Sequence, residues 1–223
     1  MKTTYKKIYQ LAAKNRGGVE HLEASLPRPK TAAQLAAQTD DRYLSMMTRC
    51  VFRAGFVWRV IDNKWPGFEE AFSNFNPLAI AHYSDEKLEE LGKDTRIVRN
   101  FTKILSVRHN ATYVLDKQHS HGSFGKFVAE WPETDIVGLW LELKKNGSRL
   151  GGNSGPGMLR SMGKDTFLLT KDVSDALVNQ GLMKKFSPTA QRDLRLVEQV
   201  FADLREQSGR SLCELSRILA FTV

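Results

Sequence analysis

The chain has 223 residues, 41% of them hydrophobic, enough to bury one substantial core or two smaller lobes around a shared cleft. Its 33 Lys and Arg against 25 Asp and Glu leave a formal charge of +8, which points to a polyanion or an anionic surface as partner without deciding between them. No run reaches the roughly 20 apolar residues of a membrane span, the first seven residues lack the apolar stretch of a secretion signal, and Cys50 and Cys213 have neither CxxC spacing nor a nearby histidine pair. The expectations are therefore a cytoplasmic protein with no membrane partner, no disulfide framework, no metal and no cofactor.

In chain order, Tyr5, Ile8, Tyr9, Leu11 and Ala12 have helical spacing, and Gly17-Gly18 ends that helix. A short helix follows around Val19–Leu26. Pro27 and Pro29 cannot lie inside a helix, whereas Thr31 can cap the next one, Ala32–Ala37. These first 40 residues read as an N-terminal extension. Asp40-Asp41 opens a helix from about Arg42 to Phe56 with Leu44, Met47, Val51 and Ala54 on one face, and aromatic residues cluster at Phe52, Phe56, Trp58 and Trp65. Pro66-Gly67 breaks the chain, Asn76-Pro77 starts a helix, and Ser84 caps a surface helix to Leu91 whose acidic face is a solvated one. From Arg96, the pattern Ile97, Ile104, Val107, Ala111 and Val114 predicts a long helix. Its basic edge, Arg96, Arg99, Lys103 and Arg108, either faces nucleic-acid phosphates or is ordinary surface charge. His119-Ser-His-Gly122 is a loop without a third metal ligand nearby. Ser187-Pro188 starts a helix with Leu194, Val197, Phe201 and Leu204 along one side, and Ser211-Leu-Cys-Glu214 is a capping-box pattern opening Leu212–Phe221. No alternating run exceeds Phe167-Leu-Leu, so the chain is all-α, with about ten helices.

Between the apolar, basic run Val137–Gly147 and a new helix lies Leu150-Gly-Gly-Asn-Ser-Gly-Pro-Gly-Met158. Read as a turn between helices, it gathers unpaired backbone N–H groups at a helix start, where the helix dipole also favours an anion, and glycine lets a nucleic-acid backbone come close. Gly151, Gly152, Asn153, Ser154, Gly155 and Gly157 are the candidate phosphate contacts, and Arg160 and Lys164 either follow the backbone or only solubilise the surface. The competing reading is a flexible loop between two packed helices.

Taken together, Ala54-Gly-Phe-Val-Trp58, Phe75-Asn-Pro77 and Arg96-Ile-Val-Arg-Asn-Phe-Thr-Lys-Ile104 with Asn110-Ala111 resemble the 3-methyladenine DNA glycosylase I family, in order and in spacing. The resemblance runs from about Asp41 to Val173, with the hairpin near 147–160; the first 40 residues and, within the C-terminal helices of 174–223, the stretch after Gly181 resemble nothing in the family. It implies a single glycosylase-like domain with a two-lobed helix-hairpin-helix fold, a base pocket between the lobes, and damaged double-stranded DNA as partner of a monomer. It also exposes departures. The position of the family's acidic pocket residue is Cys50, and the cysteine and histidine ligands of the family's zinc are missing. In the wider superfamily a catalytic aspartate follows the hairpin. Here a strict alignment puts Thr170 at that position and Asp172 two residues later, so Asp172 either takes the role or stabilises the first turn of a helix capped by Thr170. Bifunctional members carry a lysine nucleophile in the hairpin, where this chain has Gly157-Met158-Leu159, so a monofunctional enzyme is implied.

Such an enzyme pulls a base from the stack and breaks its bond to C1′. An alkylated purine leaves easily because it is a cation, and one carboxylate, Asp172, can stabilise the oxocarbenium-like sugar and direct a water. Trp58 is the first candidate to hold the base, since a cation gains roughly 0.5–2 kcal/mol on an aromatic face. Phe52, Phe56 and Trp65 are further candidates that are equally at home in a core. A catalytically silent DNA-binding module, or a glycosylase for another lesion, is the alternative.

Overall fold

The computed structural model describes residues 4–223. Among them are α1 (Tyr5–Asn15), α2 (Val19–Ala24), α3 (Ala32–Ala36), α4 (Asp40–Arg53), α5 (Trp58–Asn63), α6 (Trp65–Ala71), α7 (Pro77–Ala81), α8 (Asp85–Lys93), α9 (Phe101–His121), α10 (Phe124–Glu130), α11 (Ile136–Asn146), α12 (Ser154–Met162), α13 (Lys171–Asn179), α14 (Gln191–Ser208) and α15 (Leu212–Ala220), with a 3-10 turn at Ser73–Phe75 and no strand. The all-α expectation holds; the count is fifteen rather than about ten. Much of the excess lies between residues 58 and 81. There Pro66 and Pro77 each start a new helix, and the positive φ angles of Ser73, Asn74 and Phe75 stop any helix from running through. The long helix starts at Phe101 and not near Arg96, because the Asn100 side chain accepts the Lys103 N–H at 3.2 Å and fixes the start there. No helix among the described residues is long and apolar enough to cross a membrane.

The chain divides into two compact units. One comprises the N-terminal part to Lys30, Pro132–Leu139 and Gly163–Val223. Here α15 packs on α1, α13 and α14, and the fully buried rings of Phe167 and Phe201 stack with centroids 4.2 Å apart. Arg210 ties the chain ends together: its guanidinium meets Glu23, Glu214 and the Tyr5 hydroxyl. The buried Asp165 carboxylate accepts the N–H groups of Leu212 and Cys213 at 3.0 and 2.8 Å, adding to the Ser211–Glu214 capping box at the start of α15.

The other unit comprises Thr31–Trp131 and Trp140–Met162. Its centre is α4, which buries Tyr43, Leu44, Met47, Thr48, Val51 and Phe52 against α9 and α12. Phe52 meets Phe68 edge-on at 4.7 Å, and Phe68, Phe72 and Phe75 continue as a stack. The opposite side of α4 keeps Arg49, Cys50 and Arg53 half-buried. That side carries the candidate site.

Candidate active site and nucleic-acid interface

The helix α4 ends at Arg53 because Gly55, at φ +74°, turns the chain in a conformation that a side-chain-bearing residue rarely adopts. The carbonyls left at this end find an unusual donor. The buried Lys103, on α9, donates from Nζ to the oxygens of Phe52 at 3.1 Å and Ala54 at 2.6 Å. Beyond the turn an apolar patch faces outward: Phe56, Val57, Trp58 and Val60 are all exposed, Trp58 to 62%. An indole left so open beside other exposed apolar side chains on an otherwise well-packed unit makes this face the candidate contact surface.

Cations flank that surface. The Arg53 guanidinium lies over the Trp58 ring, 4.9 Å from its centroid, and Arg49 lies 5.2 Å from the Trp65 ring. Both arginines donate to Asp62, Arg49 at 2.9 Å and Arg53 at 2.6 Å. Burial pushes the Asp62 carboxyl up, and the hydrogen bonds of Arg53 and Arg49 outweigh it and hold the pKa below its ordinary value. Trp65 stacks on Phe68 and Phe75 and donates its indole N–H to Glu69 at 3.0 Å, and Glu69 also takes Arg42 and Ser45. Trp65 is thus tied into the core on one side and lies under Arg49 on the other. Phe52 is fully buried and belongs to the core, while Phe56 is 40% exposed under the Lys103 ammonium, 4.5 Å away. Burial pushes the Cys50 thiol up to about 11 against the opposing pull of Arg53 and Arg49, so at neutral pH Cys50 is an uncharged thiol. Arg49, Arg53, Asp62 and the clamping role of Lys103 are not among the residues that the sequence motifs single out. The available signal is two arginines four apart on the helix face that carries Cys50.

The hairpin turn spans residues 147–153, between the end of α11 and the start of α12, so Gly155 and Gly157 lie inside α12 and not in the turn. The turn also closes on itself: Gly155 N–H donates to the Leu150 carbonyl at 3.1 Å and Ser154 N–H to that of Gly151 at 3.3 Å. These two amides, expected to be open to phosphate, are used internally. Gly155 is required by close approach, since a Cβ there would sit 2.5 Å from the Leu150 oxygen. From α9, the fully buried Asn110 side chain holds the turn from both sides, accepting Ser148 N–H at 2.7 Å and donating to Ser148 O at 3.1 Å. Gly152 and Asn153 form the exposed crown, with Gly151 and Ser154 half-buried beside them. Arg149 stands at φ +61°, exposed, and lines a cleft of about 530 Å³ with Thr102, Arg108, Thr112 and Ser148. Arg160 is half-buried. Lys164 is 4% exposed, and burial lowers its pKa against the opposing charges of Glu133 and Asp165.

In the other unit, Thr170 caps α13 by accepting the Val173 N–H at 3.3 Å, and Asp172 is exposed in the first turn of that helix. Among the described residues no three His, Cys, Asp or Glu side chains converge, so the zinc of the resembled family does not fit the residues present.

The all-α scaffold with its helical hairpin has the fold of helix-hairpin-helix DNA glycosylases, as a likeness to solved structures shows. The profile of the methyladenine glycosylase family matches residues 34–146, and the chain belongs to that family, the DNA glycosylases of base excision repair. Solved structures agree on the fold. A Methanocaldococcus jannaschii 8-oxoguanine glycosylase/lyase in complex with DNA superposes with a TM-score of 0.57 at 13% identity, covering 96% of each chain. A Staphylococcus aureus 3-methyladenine DNA glycosylase I gives 0.52 at 22% identity over 56% of this chain and 77% of its own, and another 3-methyladenine DNA glycosylase I gives 0.51 at 21% over 62% and 83%.

Proposed function

We propose that this protein acts as a monomer on double-stranded DNA, turns a damaged purine out of the stack onto Trp58 and hydrolyses its N-glycosidic bond without a lyase step. The observation that carries the reading is the exposure of Trp58, an open indole at the start of α5, just beyond the turn clamped by Lys103 and flanked by Arg53. A flipped base needs such a face, because stacking replaces what the duplex gave it. In the reaction the C1′–N bond breaks and its electron pair leaves with the base. Water adds to C1′ and gives up a proton. Asp172 takes the carboxylate role, accepting that proton and stabilising the cationic sugar, a role suggested by its position after the hairpin and by its exposure. No lysine occupies Gly157–Leu159, which favours water as nucleophile.

The test is to incubate the protein with duplexes carrying alkylated, deaminated or oxidised purines and to identify released bases by mass spectrometry, with borohydride added in parallel. The expected result is release of a damaged purine and no trapped protein–DNA adduct. A second reading, a DNA-binding protein without catalysis, is favoured by the uncharged Cys50 where the resembled family has an acid. It predicts tight binding and no released base.

A further inference from the structure

The charges around the aromatic face do not balance. Arg49, Arg53 and Lys103 carry three positive charges there, and among the described residues Asp62 is the one carboxylate ion-paired with any of them. Glu69 and Asp41 share Arg42, which with Asp62 still leaves one positive charge in excess; Lys103 has only carbonyl and aromatic-ring partners, and Cys50, between Arg49 and Arg53 in sequence, adds no negative charge. The electron-rich π-face that an arriving cation would use is taken as well. Arg53 already draws on the Trp58 ring, and a second cation stacked on its other side would be repelled through one ring thickness.

From this placement we infer that the base site selects uncharged lesions, purines that leave as anions such as hypoxanthine or a cyclic etheno-adenine, over the cationic 3- and 7-alkylated purines. The inference rests on the proposed glycosylase reading with Trp58 as the stacking ring. The bond chemistry does not work against this. When a neutral purine departs, the electron pair of the C1′–N9 bond goes to N9 and the leaving base becomes an anion, which later takes a proton from water. The field of Arg49 and Arg53 stabilises that developing charge. A cationic purine departs neutral, a charge shift on the base of the same size that the field assists equally, but it must first bring its positive charge into that field, so the discrimination lies in entry to the site. Acid at position 50 would cancel the field; the thiol does not.

The test is single-turnover excision at saturating protein from duplexes with hypoxanthine, 1,N6-ethenoadenine or 7-methylguanine, for the wild type, Cys50→Glu and Arg53→Gln, with each variant's folding checked by circular dichroism. The expected result is that the wild type releases at least one neutral base faster than 7-methylguanine, and that each variant moves the ratio toward 7-methylguanine by roughly tenfold or more. Arg53→Gln should do so by slowing the neutral lesions while leaving binding to undamaged duplex within about threefold, since the Arg53 guanidinium is engaged by Asp62 and the Trp58 ring and not by the backbone of the duplex. Faster release of 7-methylguanine by the wild type overturns the inference while leaving the glycosylase intact. So does an equal fall for both lesion classes in Arg53→Gln, which would make Arg53 a phosphate contact. Release of no base from any duplex by folded wild-type protein sinks the glycosylase reading itself, and the inference with it.

Discussion

The Lys103 ammonium lies 2.6 Å from the carbonyl oxygen of Ala54, a residue 49 positions earlier in the chain, and 3.1 Å from that of Phe52. One cation on α9 thereby closes the C-terminal end of α4, where helical carbonyls lack intrahelical partners, and fixes the turn that presents Phe56 and Trp58. Burial, with the charge of Arg149 adding to it, holds the Lys103 pKa below its ordinary value. Lys103→Met should cost about 1–3 kcal/mol of stability through the unpaired carbonyls. It should also redden and quench the Trp58 emission relative to the wild type, an effect on the turn that general destabilisation does not produce in the folded state. Lys103→Arg should restore part of both. Unchanged urea unfolding in Lys103→Met counts against the clamp.

A pH effect follows from the arginine pair. Asp62 is held below its ordinary carboxylate value by Arg53 and Arg49, which outweigh burial, so its folded pKa is depressed. The sign is that of an acid: the stabilisation is present above the ordinary value of 3.8 and is lost as pH falls through the lowered folded value. Because the Asp62 side chain is 32% exposed, the effect is small, about 1 kcal/mol or less. The stability difference between wild type and Asp62→Asn, read from urea unfolding, should be present near neutral pH, shrink in high salt, and vanish as pH falls through the lowered value.

Much of this structure is legible in the sequence where the determinant is local. Thr31, Ser84 and Ser211 each accept the N–H three residues on and start the helices their patterns promise. Phe52 and Phe56, four apart, are indistinguishable by pattern as core or site, because the answer depends on Gly55 ending α4 between them: Phe52 stays on the packed helix and Phe56 goes out with the turn. The Arg49–Asp62–Arg53 bridge depends on the chain folding back after that turn, and the Lys103 clamp on a helix that arrives 49 residues later. No local pattern encodes either. The glycines mark the place of the hairpin but not how many of its amides stay open, because the Leu150 and Gly151 carbonyls fold back to take two of them.

Gly152, at φ +58° with nothing within 4 Å of where a Cβ would stand, is the hairpin position where a side chain would project into open space. Gly152→Val should therefore weaken binding to undamaged duplex on every sequence, with a backbone strain of about 1–2 kcal/mol on the free protein. Gly155→Ala differs in kind. Its Cβ would meet the Leu150 oxygen at 2.5 Å, so thermal stability should fall before any DNA effect is measured. Fluorescence anisotropy with two unrelated duplexes, beside thermal melts, separates the two; a loss confined to one duplex sequence would contradict backbone contact.

Arg149 offers the opposite combination. It holds a left-handed backbone conformation that favours glycine and lines the cleft beside the hairpin. Arg149→Gly should stabilise the free protein by up to about 1 kcal/mol while lowering duplex affinity and reducing the slope of log affinity against log salt by about 1. A variant that melts later and binds with an unaltered salt slope would show that the conformation serves the turn and not DNA.

Asp172 and Trp58 should fail differently when removed. Asp172→Asn keeps shape and hydrogen-bonding capacity and removes the charge that stabilises a cationic sugar, so single-turnover excision should fall on the order of 10²-fold or more, with duplex affinity intact or improved as a negative charge beside phosphates disappears. Trp58→Ala should lose roughly 1–3 kcal/mol of base stacking, which reduces discrimination between damaged and normal bases while the surrounding fold, already leaving that ring 62% exposed, changes little. Excision at the parent rate by Asp172→Asn would leave that aspartate as a helix-start residue, favoured by the dipole of α13 behind the Thr170 cap. The carboxylate would then have to be sought elsewhere, and the buried Asp165 is a poor substitute, because both of its oxygens already hold the start of α15.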